Sequence, residues 1–219
     1  MAHPQSVSRR LIVADDVATV AAEHIVTRQP RTLALAGGST PRALYEQLAG
    51  CNLAWADMEV FFTDERCVPP DDRDSNFRMA NEALLSKVNA NVHRMPGERC
   101  DAAEYETEMR DVFGAAPVFD LVLLGLGADG HTASLFPGDT ALEEGQRWVV
   151  AVRRPDHERL TLTLAILSAA RTAIFLVTGT TKRDALRRLL AGEDIPAARV
   201  HAGEVLIIAD EAAAQGASG

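Results

Sequence analysis

Residues 119–131 read Phe119-Asp-Leu-Val-Leu-Leu-Gly125-Leu-Gly127-Ala-Asp129-Gly-His131, an apolar run that stops at a glycine-rich turn bearing an acid and a histidine two residues apart. The run is continuously apolar instead of alternating, the pattern of a strand covered on both faces of a parallel sheet. Open α/β sheets carry their sites at the carboxyl ends of such strands. Histidine moves protons near neutral pH, and a neighbouring carboxylate can hold its ring and tautomer. Asp129 and His131 therefore read as a proton-transfer pair at a sheet edge.

Outward from this strand, similar runs recur at 10–14, 32–36, 58–63, 148–152, 160–164, 173–178 and 205–209. Helix-like segments at 16–28, 41–49, 75–87, 101–113 and 180–191 separate most of them. In 180–191, Ala185, Leu186, Leu189 and Leu190 recur at the spacing of one buried helical face. Strand–helix alternation over the whole length predicts a single α/β domain, residues 1–219, built on one doubly wound, mostly parallel sheet with helices on both faces. The stretch 138–165 fits least well, because its two close strands could form an antiparallel pair or a small flap.

Composition narrows the function. The 219-residue chain is 47% hydrophobic and 24% charged, as expected of a globular protein with one sizeable core. Its net charge of −9 argues against a nucleic-acid partner, which needs a clustered basic face. The arginines at 183, 187 and 188 read as a solvated helix face. No apolar run approaches a membrane span, and the apolar stretch near the start is too short for a secretory signal. Cys51, Cys67 and Cys100 form an odd, scattered set, which predicts neither a disulfide framework nor a zinc site and suits the cytoplasm. The Ala/Gly-rich tail 212–219 is expected to fray.

Three further strand-end loops carry candidate chemistry. Gly37-Gly38-Ser39-Thr40-Pro41 offers close backbone approach, hydroxyl donors and a helix mouth that favours an anion, with Thr40 as the expected N-cap. Lacking the Gly-Lys-Ser/Thr ending of a Walker loop, it suits a phosphate monoester better than a nucleoside triphosphate. Asp64-Glu65-Arg66 follows the next strand; Arg66 could brace the loop against either acid or offer its planar fork to a ligand. Thr178-Gly179-Thr180-Thr181-Lys182 repeats the strand, glycine, hydroxyl, helix order. Lys182 there opposes the helix dipole, which makes sense if an anion sits at the helix mouth. With the overall charge repelling an anionic substrate, Lys182, Arg171 and Arg66 are the local cations expected to attract it. Arg171 could instead cap the helical segment 165–170.

Gly125, Gly127 and Gly130 also match the dinucleotide-binding spacing, which would imply an NADP-dependent oxidoreductase. That motif needs a long helix and an acid about 20 residues on. Here Pro137 interrupts, and the next strand ends in Arg153-Arg154.

Taken in order, Gly37 to Arg42, Thr63 to Asp71 with Asp74-Ser75-Asn76, Gly125 to Gly138, and Arg159 to Thr163 with Lys182 closely resemble the glucosamine-6-phosphate isomerase/6-phosphogluconolactonase family, spanning residues 33–190. The resemblance implies a Rossmann-like fold. Arg153-Arg154-Pro155-Asp156 stands where the family usually has Lys-Pro-Pro, while Arg159 matches. Arg66 replaces the tyrosine of the deaminase branch, and Phe136 replaces the glutamate that assists its histidine, so the chain sides with the lactonases.

The resemblance implies cofactor-independent, metal-free hydrolysis of a sugar-phosphate lactone, 6-phospho-D-glucono-1,5-lactone, in the oxidative pentose phosphate pathway. On this reading His131 deprotonates water, Asp129 orients its ring, Arg66 steadies the oxyanion, and Asp64 belongs to the same catalytic set. Gly37, Gly38, Ser39, Thr40, Arg171 and Lys182 would hold the phosphate, and Arg159 and Gly127 would contact the sugar. The expected assembly is a monomer, with a homodimer as the alternative. A sugar-phosphate sensor on the same fold is the rival outside enzymology, but the residues before the first strand are too few for a DNA-binding segment.

Overall fold

The computed structural model describes residues 9–216. The first half of the chain supplies β1 (Arg9–Val13), α1 (Val17–Arg28), β2 (Thr32–Leu35), α2 (Ser39–Leu48), β3 (Glu59–Phe62), β4 (Asp64–Arg66), α3 (Asn76–Ala83), β5 (Asn91–Val92) and α4 (Ala102–Phe113). The second half adds β6 (Leu121–Gly125), β7 (Val149–Arg153), β8 (Glu158–Leu162), α5 (Leu164–Ala169), β9 (Thr172–Val177), α6 (Arg183–Ala191), β10 (Glu204–Ala209) and the short α7 (Glu211–Ala214).

Seven strands form one parallel sheet in the order β1-β10-β9-β6-β2-β3-β5. The chain builds outward from β2 through β3 to β5, then returns to the other side of β2 with β6 and continues through β9 to β10. That reversal opens a crevice at the carboxyl ends of β2 and β6, where ligands of open α/β sheets bind. The uninterrupted apolar runs are explained by their cover: Leu121–Leu124 and Ala173–Phe175 are fully buried.

Stretch 138–165 resolves as an antiparallel pair: β7 and β8 join β4 in a second, three-stranded sheet. β4 itself departs from the expected loop at 64–66. After Thr63 the chain leaves the parallel sheet and pairs with β8, setting Arg66 opposite Arg159. No helix follows Gly130; a tight turn closed by the Thr132–Leu135 bridge stands there, so the dinucleotide arrangement is absent.

Two other expectations are corrected. Cys67 and Cys100 are disulfide-bonded, with Cα atoms 5.0 Å apart, and Cys51 is free. The tail is not frayed throughout: Asp210 accepts from the Ala213 amide at 2.7 Å to cap α7, and Ala213 and Ala214 are buried. Residues 217–219 of that tail, and residues 1–8, lie outside the described residues. Among the described residues no helix is long and apolar enough to cross a membrane. On α6, Arg187 and Arg188 pair with Glu193, as a solvated face should.

Candidate active site

The turn after β6 is folded by its own backbone. Gly127 donates its amide to the His131 carbonyl at 2.8 Å, and Gly130 donates back to Gly127 at 3.0 Å. The Thr132 hydroxyl ties the turn to the Gly125 carbonyl at 2.9 Å. Asp129 Oδ1 accepts from the His131 amide at 3.1 Å and lies 2.7 Å from His131 Nδ1. A carboxylate accepts only, so this contact assigns the ring proton to Nδ1 and leaves Nε2 as the basic nitrogen. Burial works to raise the Asp129 carboxyl, but the hydrogen bonds from His131 outweigh it and hold the group below its ordinary value. The ring rests on Phe136, centroids 4.5 Å apart. Glycine is required at 127, because a Cβ there would collide with His131 Nδ1 and Asp129 Oδ1.

Glu65 explains why an Asp-Glu-Arg run tolerates burial. Its Oε1 accepts the amides of Arg66 and Asn76, each at 2.7 Å, and its Oε2 accepts the Phe77 amide at 2.8 Å and the Ser75 hydroxyl at 3.0 Å. It thereby satisfies the open end of α3. Burial nevertheless pushes its carboxyl up from the usual value. Asp64 accepts the Ser134 hydroxyl at 2.7 Å, linking β4 to the histidine turn. Arg66 pairs with neither acid; its Nη1 donates to the Asp74 carbonyl. The Nε–H groups of Arg66 and Arg159 are buried without a protein acceptor among the described residues. Arg159 faces Arg66 across the strand pair, and its Nη2 is ion-paired with the Asp156 carboxylate, which offsets the repulsion of like charges on paired strands.

The mouth of α2 differs from expectation. The helix begins at Ser39, with Gly38 at the cap position in the left-handed region (φ 113°) and no side-chain cap. Thr40 sits inside the first turn, its hydroxyl 2.6 Å from that of Thr178. The amides of Gly38, Ser39 and Thr40 meet no acceptor among the described residues, an arrangement suited to an anion. Lys182 closes a 3₁₀ turn, 180–182, leading into α6, and has no carboxylate partner among the described residues.

One cleft, at the β2/β6 reversal, is lined by His131, Gly127, Asp64, Arg66, Arg159 and Lys182 together with residues 37–40. Asp129 stands behind His131 as its support. Arg171 is corrected: it precedes β9, so it lies at the opposite, amino end of the sheet, three-quarters exposed and 3.3 Å from Asp120. It cannot share a ligand with Lys182. Sequence reasoning misses Asn76, which also lines the cleft; the Asp74-Ser75-Asn76 motif is its only trace.

Residues 5–208 match the family described as glucosamine-6-phosphate isomerases/6-phosphogluconolactonase. The chain belongs to that family. It is 44% identical over 191 residues to a 6-phosphogluconolactonase of Synechocystis sp., covering 82% of this chain and 80% of that one. Among solved structures it is similar to 6-phosphogluconolactonase from Trypanosoma cruzi, with a TM-score of 0.88 at 31% identity and full coverage of both chains. Similarity extends to the Thermotoga maritima 6-phosphogluconolactonase, TM-score 0.84 at 30% identity, over 93% of this chain and all of that one. Family membership and the lactonase structures agree with the parallel α/β fold.

Proposed function

We propose that this protein hydrolyses 6-phospho-D-glucono-1,5-lactone to 6-phosphogluconate, a step of the oxidative pentose phosphate pathway. The observation that carries this reading is an imidazole with Nδ1 held by Asp129, in one cleft with the open mouth of α2 and Lys182. His131 Nε2 takes a proton from water as the oxygen attacks the lactone carbonyl. Arg66 faces the developing oxyanion. The tetrahedral intermediate then collapses, and the protonated His131 returns its proton to the departing ring oxygen. Side chains alone supply the activated water and the charge stabilisation that ester hydrolysis needs.

The phosphate is held by the amides and hydroxyls of residues 38–40 and by Lys182, while Arg159 and Gly127 border the sugar. Holding the remote phosphate turns binding energy into placement of the carbonyl over His131. Local cations also overcome the repulsion expected from a net charge of −9. The test generates the lactone in situ with glucose-6-phosphate dehydrogenase and follows its disappearance with and without the protein. Accelerated opening is expected; a rate equal to the spontaneous one contradicts the proposal.

A further inference from the structure

Asn76 borders the cleft between Gly37 and Asp64 and has no part in the hydrolysis set out above. It is 3% exposed. Its amide nitrogen donates to the Asp64 carbonyl at 2.9 Å and lies 3.4 Å from Asp64 Oδ1. Two acceptors on that side fix the amide: nitrogen faces Asp64, and Oδ1 faces the other way. The amide packs against Gly37, where a Cβ would overlap all of it and Oδ1 most closely. No donor among the described residues reaches this oxygen.

The cleft is otherwise rich in donors. Arg66, Arg159, Lys182 and the open amides of α2 can only donate. They suit phosphate and carbonyl oxygens but cannot receive the protons of sugar hydroxyls, and a buried hydroxyl needs an acceptor. Asp64 accepts the Ser134 hydroxyl on Oδ2 and faces the Asn76 amide nitrogen with Oδ1. Asn76 Oδ1 is a neutral acceptor with its capacity unspent. It lies in the cleft with Gly37 of the loop before α2 on one side and Asp64 on the other.

We propose that Asn76 Oδ1 accepts a hydrogen bond from a ring hydroxyl of the bound sugar, so that Asn76 selects a fully hydroxylated lactone over a deoxy counterpart. The proposal rests on the lactonase reading. Gly37 contributes by leaving room for that oxygen.

The test measures kcat/KM for the wild type and Asn76→Ala on the parent 6-phospholactone and on its 2-, 3- and 4-deoxy counterparts. One deoxy compound should cost the wild type roughly ten- to hundredfold, because a buried acceptor is left unpaired. In Asn76→Ala the parent should fall by a similar factor, and the difference between those two compounds should shrink to about two- to threefold. If Asn76 only braces Asp64, the variant slows all four compounds by one common factor and the wild-type preference survives, which overturns the proposal. Equal wild-type rates on all four overturn it too. Should Asn76→Ala fail to fold, Asn76→Ser is read by the same ratio. A wild type that does not open the parent lactone overturns the lactonase reading itself, and this proposal with it.

Discussion

His131 and Lys182 reach one cleft from different strand ends, and in the proposed reaction they divide the work: one moves a proton, the other holds a charge. Lys182→Ala should therefore mainly raise KM, by about ten- to a hundredfold, with kcat little changed, since the lost contact serves ground state and transition state alike. Initial rates over a range of lactone concentrations check this, and a fall confined to kcat would contradict it. Residue type and spacing make the Asp129–His131 pair legible in the sequence, because a two-residue separation across a glycine turn brings carboxylate and imidazole into contact. Arg171 is misleading in the sequence because a residue that precedes a parallel strand sits at the sheet's amino end, however cationic it is. Asn76 is hidden in a helix-opening motif; its burial follows from Glu65 capping α3, which no local pattern reveals.

The turn from Gly125 to Leu135 and the β4–β8 pairing do most to shape the cleft. Gly127→Ala places a methyl group where His131 Nδ1 and Asp129 Oδ1 now meet, so the pair must separate. Turnover should drop by about tenfold or more, with substrate binding less affected, because the base loses its orientation. A kcat/KM split for this variant checks the point; unchanged kcat would show that the Asp129 contact is dispensable. The strands of the parallel sheet are readable from their unbroken apolar runs, and β7 and β8 from their closeness. β4 is not readable: Asp-Glu-Arg has no strand propensity of its own and is extended because β8 pairs with it and Glu65 finds four donors. The Cys67–Cys100 bond is equally invisible, since 33 residues separate the partners and only the fold brings them together.

Across the molecule, a parallel sheet with one reversal of strand order dictates where the cleft lies, while distant groups set stability. At the β3–β5 edge His93 stacks on Phe61, centroids 4.3 Å apart, and bridges Glu59 at 2.6 Å and Glu108 at 2.7 Å. Burial alone would lower its pKa, but the two carboxylates outweigh that and raise it above the usual 6.5. A histidine with a raised folded pKa stabilises fully below its unfolded value and loses that contribution as pH climbs through the folded one. The melting-temperature gap between wild type and His93→Gln should thus be widest below the ordinary histidine value of 6.5 and narrow as pH rises above it. A gap that widens with rising pH would contradict this. The α/β class and the sugar-phosphate reading are legible from ordered motifs; the second sheet, formed by segments some 90 residues apart in the chain, is legible only in part. In the proposed reaction everything turns on His131 activating the water, and this is read from the kcat of wild type against His131→Ala for lactone opening, corrected for the spontaneous reaction. A loss of about 10²- to 10⁴-fold with KM nearly unchanged is predicted; a variant that keeps kcat within about threefold of wild type would contradict it.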